Sequence, residues 1–190
     1  EEISYYIGRA YATKLLSLKK NKMIVGYDNR LSSPIIEKNL VKGLTDGGVD
    51  VVRLGLVTTP MYYYAWDKLN IHCGIMITAS HNPKEYNGFK MSYNGIHNCF
   101  GNEVAELYYI ILNGIYSKGN GSITDANIKE DYIKMINSHI NMGSNKLKVI
   151  YDCGNGTASI VAKDIFVSND NIEYIPLFAE SDGTFPNHHP

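Results

Sequence analysis

The first part of the chain alternates between amphipathic helical patterns and short apolar runs. Apolar residues recur every three to four positions in a surface helix, whereas a strand buried on both faces is continuously apolar. On this basis we predict, in order, a helix at 3–18, a strand at 22–27, a helix from 33 to about 46, a strand at 49–56, a helix at 59–69 and a strand at 71–77. This order implies parallel strands joined by crossover helices, and hence a layered α/β sheet.

Short local signals indicate where the second helix begins and ends. Ser33 stands before Pro34, which is the usual arrangement of an N-cap residue followed by the first helical position. Gly47 and Gly48 follow the last apolar position, and glycine is common after a helix because it adopts the left-handed conformation without strain. We therefore predict that Ser33 caps this helix.

A second α/β pattern begins after about residue 143. Before it, the strand at 89–93 follows its predecessor too closely for a crossover helix, so we expect an antiparallel edge strand. The remaining segments are a helix at 104–112, a loop at 114–124, a helix at 125–141, a strand at 147–151, a helix ending near 167 and a strand at 172–177. The last three repeat the opening order. We therefore predict a mixed, mostly parallel three-layer α/β/α domain at 1–143 and an incomplete, similar domain at 144–190.

The composition and net charge of the chain argue against binding to nucleic acid or to a membrane. A formal net charge of −1 provides no basic surface for nucleic acid or for a membrane. With 44% hydrophobic residues the chain can bury a core, and the three cysteines have no metal-type spacing, which suits a reducing compartment. No apolar run has the length of a membrane span, and the first residues do not resemble a signal peptide. We predict a cytoplasmic protein. Both ends look cut, so we also predict a piece of a longer chain.

The predicted chemistry lies in the loop after the strand at 71–77. Ile75-Met-Ile-Thr-Ala-Ser-His-Asn-Pro83 runs from that strand into a small polar loop that carries one hydroxyl, Ser80. Ligands of open α/β sheets bind at the carboxyl ends of strands, which favours a functional Ser80. The competing interpretation is a serine that hydrogen-bonds its own loop, as serine commonly does in turns.

A hydrolase arrangement of Ser80 and His81 is not expected. Adjacent residues on an extended segment point apart, which places His81 poorly for taking the Ser80 proton, and the nucleophile-elbow motif is absent. A hydroxyl that carries a phosphoryl group fits better, because loop amides and nearby cations can hold the anion.

Lys90 and the Asp28–Arg30 segment are candidates for binding that anion. Lys90 lies on the strand whose start returns beside Ser80, where it could neutralise a phosphate or move a proton. The pattern by itself favours the other interpretation, a solvated lysine that discourages edge-strand aggregation. Asp28 and Arg30 could reach a ligand from the end of a strand, or they could pair with each other and brace the turn.

Other signals are weaker. Gly154-Asn-Gly156 resembles a phosphate-binding turn, but the dinucleotide fingerprint is incomplete. His188 and His189 could be metal ligands, although no carboxylate or cysteine stands at a suitable spacing, which favours ordinary loop residues. The sequence has no Asp-x-Asp pair for a divalent ion and only three arginines.

Several motifs together resemble one known family. Thr78-Ala-Ser-His-Asn-Pro83, followed by Asn87-Gly-Phe-Lys90, is similar to the phosphoserine loop of the α-D-phosphohexomutases. Three further segments match that family in the same order: Gly26-Tyr-Asp-Asn-Arg-Leu-Ser-Ser-Pro34, Asp152-Cys-Gly-Asn-Gly156 and Asp182-Gly-Thr-Phe-Pro-Asn-His-His-Pro190. The resemblance covers essentially the whole chain. Phe89 and the ending after Asp182 favour the phosphomannomutase/phosphoglucomutase branch.

The resemblance implies the N-terminal part of a four-domain enzyme that interconverts hexose 1-phosphate and hexose 6-phosphate. Ser80 would carry the phosphoryl group, give it to a mannose or glucose phosphate, and regain the other phosphoryl group from the bisphosphorylated sugar. Lys90 would assist at the transferring phosphate. The loop would be shaped by polar residues around Ser80, namely His81, which is also a catalytic candidate, with Thr78, Asn82 and Asn87.

The resemblance also implies parts that this chain lacks. Phosphorylated Ser80 would supply one ligand to Mg²⁺, but the family's other metal ligands, sugar-discriminating loop and distal phosphate clamp do not occur here. We therefore expect the isolated chain to be inactive. The alternative is a non-catalytic sugar-phosphate-binding or scaffold fragment. Asn29 replaces the family's usual glycine, a mild change if Asn29 is left-handed. The incomplete second domain could pair with another copy by swapping or by edge addition.

Overall fold

The computed structural model describes residues 2–95 and 97–190. Its helices and strands follow the predicted alternation closely. In chain order they are α1 (Glu2–Ser17), β1 (Lys22–Tyr27), α2 (Ser33–Asp46), β2 (Asp50–Leu56), α3 (Thr59–Leu69), β3 (Gly74–Ile77), β4 (Phe89–Ser92), α4 (Asn102–Asn113), β5 (Ile123–Asp125), α5 (Lys129–His139), β6 (Leu147–Asp152), α6 (Ser159–Phe166) and β7 (Ile172–Leu177). Strands β1 and β7 have the bounds that the apolar pattern predicts.

One sheet contains five of the strands, in the order β4-β3-β1-β2-β5. Strand β1 is central and pairs in parallel with both β2 and β3, so that Ile24 faces Val52 on one side and Gly74 on the other. Strand β4 runs antiparallel to β3 at the edge of the sheet, which confirms the expected edge strand. The carboxyl ends of β1 and β3 therefore lie side by side.

Helices cover both faces of this sheet. On one face α1, α2 and α4 pack over a core that includes Met23 and Val25. On the other face α3 and α5 pack over a core that includes Ile24, and Val161 of α6 joins them. Successive residues of a strand point to opposite faces, which explains why neighbouring positions of β1 belong to different cores. The predicted three-layer α/β arrangement is confirmed.

Helices α1 and α2 approach closely because glycines occupy their crossing point. A Cβ atom on Gly43 would lie 2.1 Å from the Tyr5 carbonyl oxygen, and one on Gly8 would lie 2.3 Å from the Leu40 carbonyl oxygen. A glycine inside a helix costs about 0.5–1 kcal/mol. The close approach offsets this cost because it buries Leu40 and Leu44 completely.

Strands β6 and β7 form a separate two-stranded parallel sheet. Together with α6 and the segment that follows β7, they make up what we call the C-terminal unit (residues 147–190). Several apolar side chains on these strands are exposed, including Leu147 at 50% and Ile150 at 63%. The domain boundary near residue 143 and the swapped or edge-paired dimer stay predictions.

The structure differs from the prediction at three local points. The segment expected to be a loop at 114–124 runs into a short strand, β5, which pairs in parallel with β2. Strand β3 begins at Gly74 instead of residue 71, because the ladder to β1 starts there. Ser33 is not the cap of α2: Ser32 holds that position without a side-chain capping bond, and Ser33 donates to Asp28 Oδ1 at 2.9 Å.

The three cysteines form no disulfide bond with one another: Cys73, Cys99 and Cys153 are free thiols. None of the helices in the described part of the chain combines the length and the apolar content that crossing a bilayer requires.

Candidate functional site

A cleft of about 630 Å³ opens where the carboxyl ends of β1 and β3 meet the C-terminal unit. One wall carries the loops after these two strands together with β4, and it contributes Ser80 and Lys90. The opposite wall carries the end of β6, the turn after it, helix α6 and the segment after β7, and it contributes Asp152 and His188. The position agrees with the rule that open α/β sheets bind ligands beyond the carboxyl ends of their strands.

Ser80 occupies a tight turn at the mouth of this cleft. Its φ is +56°, in the left-handed region that non-glycine residues seldom adopt. The turn is held by two hydrogen bonds: the Ser80 amide donates to Thr78 Oγ1 at 3.0 Å, and the Asn82 amide donates to the Ala79 carbonyl at 3.1 Å. Thr78 is buried, whereas Ser80 is exposed. The turn therefore presents the hydroxyl group to solvent.

His81 lies closer to this hydroxyl than the sequence suggested. The distance from Ser80 Oγ to His81 Nδ1 is 3.1 Å, which is within hydrogen-bonding range. The expectation that the two side chains point apart assumed an extended segment, and the left-handed turn at Ser80 makes that assumption wrong. With Nδ1 unprotonated, His81 can accept the hydroxyl proton; with Nδ1 protonated, it can donate one.

The buried side chain of Arg30 holds the Ser80 loop in place through hydrogen bonds. It is 2% exposed, and its guanidinium group uses all five N–H donors. Nε donates to Asp28 Oδ2 at 3.2 Å. The other four donors bind backbone carbonyls of the loop at 2.7–3.2 Å, those of Ser80, Asn82, Pro83 and Tyr86. The predicted brace between Asp28 and Arg30 is present, but most of the Arg30 contacts lie in the Ser80 loop.

Lys90 lies on the same wall as Ser80. It is opposite Met76 in the β3–β4 ladder, is partly buried and lines the cleft. Among the residues that the structure describes, its ammonium group has neither a hydrogen-bond nor an ion-pair partner. It is therefore a cation available to an anionic ligand in the cleft.

The other predicted loop residues lie around the turn. Thr78 lines the cleft, whereas Asn82 and Asn87 do not. The Asn87 side chain donates to Ser32 Oγ at 2.9 Å and accepts from the Gly88 amide at 2.9 Å, which ties the end of the loop to the start of α2. Asn82 contributes its carbonyl to Arg30, and its side chain is exposed.

The turns on the two walls of the cleft share one hydrogen-bond pattern, in which an aspartate accepts from a backbone amide two residues later. Asp28 follows β1 and accepts from the amide two residues later at 3.2 Å; Asp152 ends β6 and accepts from the Gly154 amide at 2.7 Å. Each aspartate precedes a helix and the next parallel strand. The internal repeat expected from the sequence is therefore present in the geometry, and it brings both aspartates to the same cleft.

Asp152 has a histidine partner that sequence spacing did not reveal. His188 Nε2 lies 3.1 Å from Asp152 Oδ2, and His188 Nδ1 lies 2.8 Å from the His189 carbonyl oxygen. The ring packs against Gly154, where a Cβ atom would come within 2.6 Å of it. Sequence spacing did not indicate this pair, because the two residues are 36 positions apart in the chain.

Comparison with known proteins identifies the family. Residues 1–114 match the family model described as phosphoglucomutase/phosphomannomutase, alpha/beta/alpha domain I. The chain belongs to this family. A phosphomannomutase/phosphoglucomutase of Pseudomonas syringae pv. tomato is 44% identical over the whole chain, and a phosphoglucomutase of Neisseria meningitidis serogroup B is 38% identical. The chain spans about 40% of the length of these relatives.

A solved structure supports the same fold for this family member. A phosphoglucomutase/phosphomannomutase family protein from Burkholderia thailandensis superposes with a TM-score of 0.91 at 34% sequence identity. The alignment covers 98% of this chain and 42% of that protein. The similarity includes the C-terminal unit as well as the five-stranded sheet.

The described part of this family member lacks a complete set of ligands for the expected Mg²⁺. Among residues 2–95 and 97–190, no group of three or more His, Cys, Asp or Glu side chains could hold a metal ion. Asp28 lines the cleft, but both of its carboxylate oxygens are already engaged by Arg30 and Ser33. The described residues therefore do not form a complete site for the ion.

We expect His188 to titrate above the ordinary histidine range. Both ring nitrogens face oxygen acceptors, and this raises the pKa of His188, first through the His189 carbonyl and then through Asp152. A raised pKa means that the charged form stabilises the fold at pH values below the ordinary value of about 6.5, and this contribution is lost as the pH rises through the folded pKa.

An NMR titration of the His188 ring protons checks this expectation. The midpoint should lie above the ordinary histidine value of about 6.5, and Asp152→Asn should lower it without returning it fully, because the His189 carbonyl remains. A His188 midpoint below the ordinary histidine value would contradict the arrangement. Gly154→Ala provides a second variant, since its Cβ atom would displace the ring.

Proposed function

We propose that this chain is the N-terminal part of a phosphomannomutase/phosphoglucomutase and carries its phosphoserine. The enzyme interconverts hexose 1-phosphate and hexose 6-phosphate, with mannose or glucose as the sugar. The observation that carries the proposal is an exposed Ser80 at the mouth of a cleft, on a strained turn that Arg30 holds through four loop carbonyls. The names of the relatives support the same reaction class.

In the first step, an oxygen of the bound sugar monophosphate attacks the phosphorus atom on Ser80 Oγ. The new O–P bond forms as the Oγ–P bond breaks; Oγ takes a proton from protonated His81, and the proton of the sugar hydroxyl passes to solvent water. The product is a bisphosphorylated sugar and a free serine. After the sugar turns over in the cleft, Oγ takes the other phosphoryl group, which leaves the isomeric monophosphate. Phosphoryl transfer depends mainly on positioning and electrostatics, which is why a rigid turn suits it.

His81 and Lys90 have distinct roles in this scheme. His81 Nδ1, at 3.1 Å from Oγ, gives a proton to the serine as the phosphoryl group leaves and removes it on return. Lys90 has no partner among the described residues, and its charge stabilises the equatorial oxygens of the transferring group. Thr78 fixes the Ser80 amide, Asn82 offers a carbonyl to Arg30, and Asn87 fastens the loop to α2.

Magnesium remains part of the proposal for the full-length enzyme. Phosphorylated Ser80 would present one phosphoryl oxygen to Mg²⁺, which prefers oxygen ligands. When bound, the ion neutralises charge on the transferring phosphate. Because the described residues do not complete its coordination, we propose that the isolated chain is inactive. A sugar-phosphate-binding or scaffold role for the isolated chain is the alternative.

A coupled assay tests the function. Full-length protein, incubated with mannose 1-phosphate or glucose 1-phosphate and a coupling enzyme that consumes the 6-phosphate, should turn over at least one sugar. The isolated chain, residues 1–190, serves as the comparison and should show no turnover. Lack of activity of the full-length protein toward both sugars would refute the proposal. Turnover by the isolated chain would refute only its inactivity.

A further inference from the structure

The loop after β1 contacts both walls of the cleft through consecutive residues. Arg30 holds the Ser80 loop, as described above, whereas the neighbouring Asn29 is bound to the C-terminal unit. The Asn29 side chain donates to the Asn155 carbonyl at 2.7 Å and to Ser181 Oγ at 3.1 Å. Its own Oδ1 accepts from Thr157 Oγ1 at 3.2 Å. One side chain thus reaches three separate points of the C-terminal unit.

Asn29 does not have the left-handed backbone that its resemblance to a glycine position suggested. It is absent from the described residues with positive φ, so that explanation was wrong. Its backbone amide donates to Thr157 Oγ1 at 3.1 Å, a bond that any residue other than proline would keep. What distinguishes asparagine here is its side chain, which supplies one acceptor and two donor hydrogens.

The main acceptor of Asn29 is a central residue of the C-terminal unit. Asn155 is 5% exposed and adopts a φ of +56° in the turn after β6. Its carbonyl also accepts from the Asp182 amide at 2.9 Å, and its side chain donates to the Glu180 carbonyl and accepts from Asn187. A bond to Asn155 therefore fixes the turn and the segment after β7 together.

Other contacts cross the same boundary but orient the unit less strictly. Lys84 Nζ donates to the Thr184 carbonyl at 3.2 Å from an exposed side chain, and the Arg30 guanidinium lies 5.8 Å from the Phe185 ring centre. Val161 of α6 is buried in the core beneath α3. Apolar packing of this kind is not directional, so it keeps the unit attached without defining its angle.

We infer that Asn29 is a positioning residue that sets the width of the cleft. By binding Asn155, Thr157 and Ser181, it holds Asp152 and His188 at a fixed separation from Ser80 across the cleft. Without the side chain, the C-terminal unit stays attached but samples more open positions. The inference rests on the proposed function, because its consequence is a change in how a sugar phosphate is bound.

The kinetic test uses Asn29→Ala in the full-length protein. Alanine keeps the backbone bond to Thr157 and removes the three side-chain bonds. The binding-competent position becomes less populated, so KM for the sugar phosphate rises by about three- to tenfold, the equivalent of about one net hydrogen bond. The kcat value stays within about twofold, because saturating substrate restores the closed position.

Two further variants are measured beside Asn29→Ala: one removes a single partner of Asn29, and the other is a control. Ser181→Ala removes a single acceptor at an exposed site, and KM should rise in the same direction by a smaller factor. Asn145→Ala is the matched control, because Asn145 is exposed and lies outside the cleft, and its side chain makes no hydrogen bond to any residue that the structure describes. Its KM should equal that of the wild type. An unchanged KM for Asn29→Ala would overturn the inference, even if the variant were less stable.

Hydrogen exchange of the substrate-free protein provides a test that does not need activity. In Asn29→Ala, the amides of the turn at 153–157 and of the segment at 181–185 should exchange faster, while those of the Ser80 loop keep their rates because Arg30 is intact. Equal exchange in both proteins would overturn the inference. A wild-type protein without mutase activity would refute the proposed function alone, because the exchange measurement would still decide whether Asn29 positions the C-terminal unit.

Discussion

Replacing Ser80 with alanine should reduce the mutase activity of the full-length protein by about 10⁴-fold or more, as expected when the group that forms the covalent intermediate is removed. Ser80 lines the cleft, and its hydroxyl group lies 3.1 Å from His81 Nδ1. Intact-mass analysis should show a phosphoryl adduct of about 80 Da on the wild type and none on the variant. The coupled assay described above measures the rate.

Two controls separate chemistry from structure in this experiment. Ser80 has a φ of +56°, so alanine there is strained, whereas Ser80→Gly relieves the strain and also lacks the hydroxyl. Both variants should be inactive. Ser144→Ala removes an exposed hydroxyl that has no hydrogen-bond partner among the described residues, and it should keep full activity. Substantial mutase activity in either Ser80 variant would rule out the phosphoserine mechanism.

Replacing Arg30 with methionine should lower the free energy of unfolding by about 3–5 kcal/mol, the usual cost of removing one partner of a buried charge pair. Asp28 would lose its guanidinium partner, and four loop carbonyls would lose their donors. Arg30→Lys should lie between the variant and the wild type, because an ammonium has three donors instead of five and cannot span the same carbonyls. Urea denaturation monitored by circular dichroism measures the change.

The Arg30 variants also have a local signature. Hydrogen exchange at residues 80–86 should become faster in both, because the loop loses the group that holds its carbonyls. Arg53→Lys is the matched control: Arg53 pairs with Asp125 at the surface, with side chains 38% and 72% exposed. Exposed ion pairs contribute about 0.2–1 kcal/mol, so this variant should remain close to the wild type. An Arg30→Met protein with unchanged stability and loop exchange would contradict the role described here.

The geometry of the Ser80 turn explains why its conformation depends on Arg30, which lies 50 positions earlier in the chain. A left-handed serine costs of the order of 1–2 kcal/mol relative to an ordinary conformation. Arg30 offsets this cost by binding the carbonyl of Ser80 itself and three carbonyls that follow it in the loop. The same turn brings Oγ to His81 Nδ1. The strained residue is therefore the one that carries the candidate hydroxyl, and such strain is typical of functional sites.

Apart from β5, the sequence by itself determined the order of helices and strands from α1 to β7, because each of these is defined by the periodicity of its own apolar residues. It also located the Ser80 loop at the end of β3, and the antiparallel direction of β4 followed from the short connection. Strand β5 was missed because it has three residues, all exposed, and therefore carries no apolar pattern. Its assignment depends entirely on pairing with β2.

Only the tertiary structure decided which side chains meet. Arg30 and the Ser80 carbonyl are 50 positions apart, Asn29 and Asn155 are 126 apart, and Asp152 and His188 are 36 apart. Periodicity reports on neighbours within one helix or strand, so it contains no information about these partners. The sequence identified a hydroxyl with the right surroundings, and folding supplied the cation beneath it, the histidine beside it and the opposite wall of the cleft.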